Sequence, residues 1–348
     1  MKYSREYISD LNKIQKVIPN LASINNSKIL VTGAGGLIGS AIIDFFMQYN
    51  DSYDAQIQLC LAARDISNIK ERFGIQFQRD DFNFFEYDAT KPLIMEEEFD
   101  YIIHGASNAN PVKYVKQPVE TMLANLTGIN NLLEYAKKHP VKRVLYISSS
   151  EVYGKKDDNQ PYKEDDYGFV DILNPRACYP SAKRASETLC VAYGEEYGVE
   201  TVIVRPGHVY GPTATRSDSR AASQFLHDVL ADQDIIMKSE GLQKRSYCYV
   251  LDCVSAIITV LINGASGKAY NISNPDSVAT ISELAECFAK AGGKKVIYEI
   301  PTEIERAGYN LMDNSSLDDK QLDALGWKGL FDLSQGVLAT LDFFRGVI

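Results

Sequence analysis

The chain has 348 residues with 36 basic and 46 acidic side chains, which gives a net charge of −10 at pH 7. This acidic balance excludes a sequence-independent nucleic-acid binder, which needs a strongly basic surface. One hydrophobic core stops growing at roughly 250–300 residues, so the length predicts two lobes. No apolar run reaches the ~18 residues that cross a bilayer, and the first 26 residues contain no apolar leader stretch. We therefore expect a soluble, cytoplasmic protein.

Six cysteines are spread thinly along the chain without a C-x-x-C pair. This pattern predicts reduced, mostly buried thiols rather than a disulfide framework. Cys248 and Cys253 lie close in sequence, but none of the four histidines has ligand spacing to them. We therefore predict no metal site.

Residues 1–20 carry apolar side chains at helical spacing and predict a peripheral helix that packs on the body. From residue 28 onward, helical stretches alternate with short apolar runs, namely Ile29–Val31, Ile57–Leu61, Tyr101–Ile103, Val144–Ile147 and Thr201–Val204. Strands separated by helices predict a parallel sheet in a Rossmann-type, doubly wound α/β fold. We expect an N-terminal helical extension over residues 1–27, a dinucleotide-binding domain over 28–210 and a smaller α/β substrate lobe over 211–348.

A glycine-rich turn follows the first predicted strand and precedes a helix. Gly33, Gly36 and Gly39 keep a three-residue spacing in the segment TGAGGLIG. Glycine at these positions allows the tight turn, the close approach of a pyrophosphate and the packing of helix on strand. The amides that open the helix at Leu37 and Ile38 are donors for the anion. Because a strand and a helix flank it, the segment predicts a dinucleotide site rather than a plain strand-to-helix turn.

The end of the second predicted strand bears on the form of the cofactor. An acidic residue there binds the free 2′-hydroxyl of NAD, whereas an arginine suits the 2′-phosphate of NADP. Arg64 stands at this point and Asp65 follows, so the residues leave NAD and NADP both open. Asp88, after an aromatic stretch, either holds the adenine amino group or is a capping aspartate.

Tyr179 and Lys183 lie four residues apart at the start of a predicted helix, hence on one face. We expect the ammonium of Lys183 to lower the pKa of the Tyr179 phenol toward neutrality, which makes it a general base for an alcohol. Such a pair alone is no more than a common surface contact. Ser149, however, follows the fourth predicted strand at the sheet edge where ligands bind, and its hydroxyl can share the proton.

Five motifs, in order over residues 28–330, resemble those of the extended short-chain dehydrogenase/reductases. They are TGAGGLIG from Thr32, HGAS from His104, SSSEVYG from Ser148, YPSAK from Tyr179 and RPGHVYGP from Arg205. The resemblance implies an enzyme that modifies a nucleotide-diphosphate sugar with a tightly bound nicotinamide cofactor. It also places that cofactor beside Ala89, Ala106, Tyr179 and Lys183.

Within that group the chain is most similar to UDP-glucuronate decarboxylases, through segments 149–154, 164–170, 175–179, 187–190 and 241–250. The similarity implies an oxidation triad, formed by Ser149, Tyr179 and Lys183, and makes Glu151 the acid/base near C5 of the sugar. It assigns substrate contacts to Ser150, Arg176, His208, Arg220 and Arg245. The chain departs from that pattern at three positions, where His208 replaces an asparagine, Ser149 a threonine and Arg64 an acidic residue.

Three reactions share a first step in which Tyr179 takes the C4 hydroxyl proton while a hydride leaves C4 for the cofactor. A carboxylate at C6 can then leave as carbon dioxide, a hydroxyl at C6 can leave as water, or the ketone can be reduced to the C4 epimer. Glu151 with Arg176 or Arg245 supplies the proton and the cation that decarboxylation needs, whereas Ser150 stands where dTDP-glucose dehydratases have aspartate. We predict a decarboxylase. The alternatives are a GDP-mannose-type 4,6-dehydratase, a 4-epimerase or, in a different class, a catalytically silent cofactor-binding scaffold.

Helices predicted near residues 118–138 and 180–197 resemble those that form the dimer interface of this superfamily, so we expect a homodimer. No nucleic-acid or membrane partner is expected. Cofactor and substrate are both polyanions, whereas the chain is acidic. We therefore expect a locally positive cleft, made so by Arg205, Arg220 and Arg245.

Overall fold

A computed structural model of the chain describes residues 3–107, 109, 111–215, 218–301 and 312–345. The strands, in chain order, are β1 (Lys28–Thr32), β2 (Gln58–Ala63), β3 (Phe82–Glu86), β4 (Tyr101–His104), β5 (Arg143–Ile147), β6 (Thr201–Pro206), β7 (His208–Tyr210), β8 (Ile235–Met237), β9 (Lys244–Tyr249), β10 (Ala269–Ile272), β11 (Val278–Thr280), β12 (Val296–Tyr298) and β13 (Asn314–Ser315). The helices are α1 (Arg5–Gln15), α2 (Leu37–Tyr53), α3 (Ile66–Phe73), α4 (Pro111–Lys116), α5 (Pro118–Ala136), α6 (Cys178–Tyr197), α7 (Ala221–Leu230), α8 (Val250–Asn263), α9 (Ile281–Gly292), α10 (Lys320–Asp323) and α11 (Leu333–Arg345).

Seven parallel strands form the main sheet in the order β10-β6-β5-β4-β1-β2-β3. The apolar runs singled out in the sequence correspond to β1, β2, β4, β5 and β6. Every residue of β6 is buried, as are the last four residues of β1 and of β5, because helices cover both faces of the sheet. The doubly wound α/β architecture predicted from the alternation of strands and helices is therefore confirmed.

The part of the chain beyond residue 210 is shared between the main sheet and smaller sheets. β10 pairs with β6, and α8 packs against α2 and β6. The remaining strands form a sheet of β7, β9, β11 and β13 and a separate pair of β8 with β12. The division into lobes at residue 210 stays a prediction, and the strand pairing does not follow that boundary.

Helix α1 corresponds to the peripheral helix expected near the N-terminus. Ser4 caps it by accepting the Tyr7 N–H at 3.1 Å, and Tyr7, Leu11 and Ile14 are buried on its apolar face. The Tyr7 hydroxyl donates to Asp44 in α2 at 2.9 Å. The helix thereby packs on the body, as its apolar spacing predicts.

The carboxyl ends of the main-sheet strands meet at one edge, and predicted site residues follow them. Gly33 comes after β1, Arg64 after β2 and Asp88 shortly after β3. Ser149 lies two residues beyond β5, and His208 begins the strand that follows β6. In an open parallel sheet this edge is where ligands bind. The fold therefore gathers residues that are far apart in the sequence.

Candidate active site

Two positions in the turn after β1 have room for glycine only. Gly33 has a φ of +73°, and a Cβ there would lie 2.7 Å from the Gly105 carbonyl carbon and 2.8 Å from the Ala106 nitrogen. At Gly39 a Cβ would lie 2.2 Å from the carbonyl oxygen of Gly33. These neighbours are backbone atoms, which cannot move aside as side-chain ends do. The turn therefore has the tight path that the glycine spacing predicts for pyrophosphate binding.

The first turn of α2 offers unpaired amides at this edge. Gly36 is the N-cap and provides no side-chain acceptor, so the N–H groups of Leu37 and Ile38 have no partner within the helix. No acidic side chain lies in this first turn, which leaves the positive end of the helix dipole to an anion. The Thr213 hydroxyl donates to the Leu37 carbonyl at 2.7 Å and fixes the loop after β7 against the turn.

The residues expected at the adenosine end lie at the tips of β2 and β3. Arg64 is exposed directly after β2, while Asp65 caps α3 by accepting the Ser67 N–H at 2.8 Å. The Asp88 carboxylate accepts the Thr90 N–H at 3.0 Å and the Thr90 hydroxyl at 2.9 Å. These bonds, more than the nearby Arg64 charge, lower the pKa of Asp88. Asp88 thus caps a turn and still lies at the predicted cofactor edge.

Ala89 and Ala106 lie in the segments that follow β3 and β4. The carbonyl of the buried Ala89 accepts a hydrogen bond from Asn131 Nδ2 at 2.9 Å. The Ala106 N–H approaches the Thr32 hydroxyl oxygen at 3.4 Å, and Thr32 Oγ1 also lies 2.7 Å from His104 Nδ1. Burial lowers the pKa of His104 to about 3, so this imidazole is neutral. The loop after β4 is thereby held against the tip of β1.

Ser149, Tyr179 and Lys183 come together beyond the end of β5. Tyr179 and Lys183 are both buried and lie one turn apart in α6. Lys183 Nζ lies 5.7 Å from the centre of the Tyr179 ring and donates to the Ile147 carbonyl at 2.8 Å. The Ser149 hydroxyl accepts the Glu151 N–H at 3.2 Å and lies close enough to the Tyr179 phenol to lower its pKa. This is the arrangement that a proton transfer through the phenol requires.

The expected effect of Lys183 on the Tyr179 phenol is wrong for this structure. Burial, followed by the charge of Glu151, raises the pKa of Tyr179 to about 12. Hydrogen bonds from the Ser149 and Tyr114 hydroxyls lower it less than burial raises it. Lys183 is itself so buried that its pKa falls to about 7. Desolvation therefore outweighs the attraction between the phenolate and the ammonium, an effect that the spacing of the two residues does not reveal.

Tyr114, in α4, is a member of the site that the sequence analysis did not identify. Its ring stacks on that of Tyr179, with centroids 4.5 Å apart and planes inclined by 14°. The Arg176 guanidinium lies 4.7 Å from the centre of the Tyr114 ring. The only available signal was an aromatic residue shortly after the strand tip at His104, which by itself predicts no contact.

Glu151 and Arg176 form an ion pair beside these rings. Arg176 Nη1 donates to Glu151 Oε2 at 3.1 Å, and Arg176 Nη2 donates to Glu151 Oε1 at 3.2 Å. Two parallel bonds of this kind are the strongest geometry between a guanidinium and a carboxylate. The Arg176 side chain remains 33% exposed and the Glu151 side chain 25% exposed, so the pair is open to the cleft. Arg176, the predicted cation for the substrate carboxylate, is therefore paired with Glu151, the predicted acid/base.

Arg205 does not line the cleft, contrary to expectation. Its guanidinium forms an ion pair with Glu187 at 2.6 Å and donates to the Tyr153 hydroxyl at 2.9 Å and the Glu164 carbonyl at 2.7 Å. The reason is that β6 is buried along its whole length, so a charge on it has to be matched inside the protein. Arg205 ties β6 to α6 and to the loop before that helix.

Arg220, Arg245 and His208 lie near one another. Arg220 is half-buried and pairs with Asp218 at 2.5 Å. Arg245 is buried and donates to the Lys244 carbonyl at 2.9 Å, with no ion pair to any residue that the structure describes. Burial, together with the two arginines, lowers the pKa of His208 to about 3, so the imidazole is neutral. Its Nδ1 is buried and has no hydrogen-bond partner among the described residues.

Ser150 is 5% exposed and begins the short helical turn, Ser150–Tyr153, that contains Glu151.

Among the described residues, no group of three His, Cys, Asp or Glu side chains is placed to hold a metal ion. In the same part of the chain, no helix is long and apolar enough to cross a membrane.

Known relatives cover nearly the whole chain. It is 30% identical to UDP-glucuronic acid decarboxylase 1 of Xenopus tropicalis, over 98% of this chain and 78% of the relative. It is 32% identical to UDP-glucuronic acid decarboxylase 6 of Arabidopsis thaliana, over 92% of this chain and 90% of the relative. The predicted resemblance to the extended short-chain dehydrogenase/reductases and to these decarboxylases is therefore confirmed.

Solved structures agree on the fold. A UDP-glucuronic acid 4-epimerase from Bacillus cereus, in complex with UDP-glucuronic acid and NAD, matches with a TM-score of 0.76 at 22% identity, over 92% of this chain and 100% of that one. A dTDP-glucose 4,6-dehydratase from Bacillus anthracis, in complex with NAD, matches with a TM-score of 0.77 at 21% identity, over 92% and 96%. The family model for NAD dependent epimerases and dehydratases matches residues 29–273. The chain therefore belongs to the NAD dependent epimerase/dehydratase family.

Proposed function

We propose that this chain decarboxylates a UDP-hexuronate through transient oxidation at C4, with NAD as a tightly held cofactor. The observation that carries the proposal is the ion pair of Arg176 with Glu151 beside the Tyr179 phenol. Decarboxylation needs a cation for the C6 carboxylate and a proton donor for C5, and this pair provides one of each. Relatives at about 30% identity that are named UDP-glucuronic acid decarboxylases support the same reaction.

The described residues fit the cofactor. The close backbone path at Gly33 and Gly39, with the free amides of Leu37 and Ile38, suits the pyrophosphate. Asp88, Ala89 and Ala106 would lie along the adenosine half, and the exposed Arg64 keeps NADP as the alternative. Bound here, the nicotinamide would supply a reversible hydride acceptor for C4 and a positive charge that favours the phenolate of Tyr179.

Three side chains would move the proton of the C4 hydroxyl. Tyr179 accepts it, and Ser149, whose hydroxyl lies beside the phenol, orients the C4 hydroxyl. Since the pKa of Tyr179 is raised to about 12, its phenolate is a strong base once formed. Lys183, with a pKa lowered to about 7, can take up and release a proton near neutral pH. It is therefore the group placed to relay the phenol proton.

The C4 ketone turns the C6 carboxylate into that of a β-keto acid. The electron pair of the C5–C6 bond then passes into the ketone as carbon dioxide leaves, and Glu151 delivers a proton to C5. Arg220, Arg245 and the neutral His208 lie near one another, and we assign the diphosphate to them. Ser150, in place of the aspartate of dTDP-glucose dehydratases, leaves the loss of water without its usual acid.

Product mass after incubation with NAD and UDP-glucuronate tests the proposal. The expected product is a UDP-pentose, lighter than the substrate by one carbon dioxide. A parallel panel with UDP-glucose, dTDP-glucose and GDP-mannose separates the alternatives, since a dehydratase gives loss of water and an epimerase gives an isomer of unchanged mass. Intact UDP-glucuronate in the presence of bound, oxidised cofactor would rule out the decarboxylase.

We also propose a homodimer and a cytoplasmic location. Helices α5 and α6 pack on each other and leave apolar side chains exposed at Val119, Leu123 and Val191, which a second copy could cover. A monomer mass in sedimentation would contradict the dimer. The six cysteines are free, which fits a reducing compartment.

A further inference from the structure

Arg176 is held from two sides in the structure. Both of its terminal nitrogens bond to the two oxygens of Glu151, at 3.1 and 3.2 Å. Its guanidinium carbon lies over the Tyr114 ring, 4.7 Å from the ring centre. Tyr114 in turn stacks on Tyr179, so the guanidinium lies one ring away from the phenol. A carboxylate entering the cleft near Tyr179 would therefore meet a guanidinium that already has a carboxylate partner.

The other described arginines of this region differ from Arg176 in their partners. Arg245 is buried and has no ion pair to a described residue, although the charge of Glu151 acts on it. Arg205 is buried and paired with Glu187. Arg220 is paired with Asp218, and it lies with Arg245 around His208. Arg176 differs because its partner Glu151 is itself a predicted catalytic group and because Glu151 is 25% exposed, whereas the Asp218 partner of Arg220 is 10% exposed. The two terminal nitrogens of Arg176 can bond to either of two carboxylates while its guanidinium stays over the Tyr114 ring, so the residue is suited to a change of carboxylate partner.

We propose that Arg176 selects substrates with a C6 carboxylate by exchanging Glu151 for that carboxylate. The inference rests on the proposed function and deepens it. The C6 carboxylate of a uronate would bind Arg176 and release Glu151. A hexose with a C6 hydroxyl has no such carboxylate and would leave Arg176 paired with Glu151. Arg176 thus provides the cation for the substrate carboxylate and, until that carboxylate arrives, holds Glu151 in an ion pair.

The exchange gives Glu151 its proton at the step that needs it. A carboxylate released from an arginine and facing a second anion takes up a proton more readily than one held in an ion pair. Glu151 then carries a proton from solvent to C5. In the decarboxylation the C5–C6 bond breaks, carbon dioxide leaves with no charge, and the proton of Glu151 completes the new C5–H bond. No further oxidant or co-reactant is required.

If the Glu151 carboxylate and the C6 carboxylate of the substrate compete for Arg176, removal of Glu151 should strengthen substrate binding. Simple attraction of the substrate to Arg176 does not predict this. If Glu151 competes with the substrate, Glu151→Gln should bind UDP-glucuronate about fivefold tighter, the size expected from a partly exposed ion pair. Binding of UDP-glucose, which cannot compete, should change much less. Arg176→Gln should weaken UDP-glucuronate binding by about tenfold or more, because its two charge-assisted bonds are lost.

Calorimetric titration with UDP-glucuronate and with UDP-glucose tests the exchange. Every chain carries Tyr179→Phe and is saturated with NAD, so that the ring stack remains and substrate is not consumed. The double variant Glu151→Gln with Arg176→Gln separates exchange from plain repulsion between Glu151 and the substrate. Exchange predicts that the gain from Glu151→Gln disappears in this double variant. Plain repulsion predicts that the gain persists, and that outcome would overturn the proposal.

Arg220→Gln is the matched control. It removes an arginine expected at the diphosphate, so both sugars should lose affinity by a similar factor. An equal loss for both sugars on Arg176→Gln, or no gain on Glu151→Gln, would also overturn the exchange. The proposed function is judged separately, by carbon dioxide release from the chain that retains Tyr179. If carbon dioxide is released but Glu151→Gln does not bind UDP-glucuronate more tightly, the decarboxylase is supported and the exchange is overturned. If Glu151→Gln binds more tightly but no carbon dioxide is released, the exchange is supported and the decarboxylase is overturned.

Discussion

Substitution of Gly33 by alanine tests whether the turn after β1 holds the cofactor. The backbone at this position has a φ of +73°, which costs a residue with a Cβ about 1–2 kcal/mol. The new Cβ would also meet backbone atoms of Gly105 and Ala106 at 2.7–2.8 Å, and such overpacking costs about 1–3 kcal/mol. We therefore expect the free energy of unfolding to fall by about 2–5 kcal/mol.

Cofactor binding should suffer as well, because relief of the overlap pushes the loop after β4 away from the tip of β1. We expect the Kd for NAD, measured by calorimetry, to rise by about tenfold or more, which corresponds to about 1.4 kcal/mol. Gly35→Ala is the matched control in the same turn. Its Cβ would meet only the end of the Ile69 side chain, at 3.1 Å, so thermal unfolding and NAD affinity should stay near those of the parent. Equal NAD affinity in the two variants would refute the assignment of this turn to the cofactor.

Two further predictions concern buried charges. Lys183→Met should abolish turnover and yet raise the melting temperature at pH 6, because the folded chain then no longer buries an ammonium. The pKa of Lys183 is lowered from 10.5 to about 7, so the penalty is fully present below pH 7, at most about 5 kcal/mol, and is relieved as the pH rises toward 10. A melting advantage that does not narrow between pH 6 and 10 would contradict this. Glu187→Gln should lower the free energy of unfolding in urea by about 3–5 kcal/mol, since it leaves Arg205 buried without its partner. Adding Arg205→Met should recover much of the loss, and an unchanged deficit would show that the ion pair is not its cause.

The main sheet and its ligand edge could be predicted from the sequence because their signals are local. A short apolar run, a glycine turn and a helix opening are each contained in a dozen residues, and parallel pairing then fixes where the strand ends meet. The same reasoning placed Ser149 and Tyr179 at one edge. It could not place β10, because the pairing of this strand with β6 depends on a return of the chain from beyond residue 210.

The electrostatics of the site could not be predicted in this way. Arg205 and Arg245 both belong to strands and look alike in sequence, yet Arg205 meets Glu187 whereas Arg245 meets only a backbone carbonyl among the described residues. The position of Tyr114 shortly after a strand tip did not reveal its role, because that role depends on stacking against a residue of another helix. The pKa of Tyr179 depends on burial, which outweighs its spacing from Lys183.

The same contacts change how an acidic chain can hold two polyanions. Arg176, Arg205 and Arg220 each have a carboxylate partner, so of these arginines and Arg245 only Arg245 adds a positive charge without an ion pair among the described residues. Arg205 is locked inside, whereas the pair of Arg176 with Glu151 is one-quarter to one-third exposed and can open. On the exchange proposed above, such a cleft would attract anions weakly at a distance and would bind them by displacing its own carboxylates. Its preference is then set at the contact, by whether a ligand brings a carboxylate to Arg176, rather than by the overall charge of the protein.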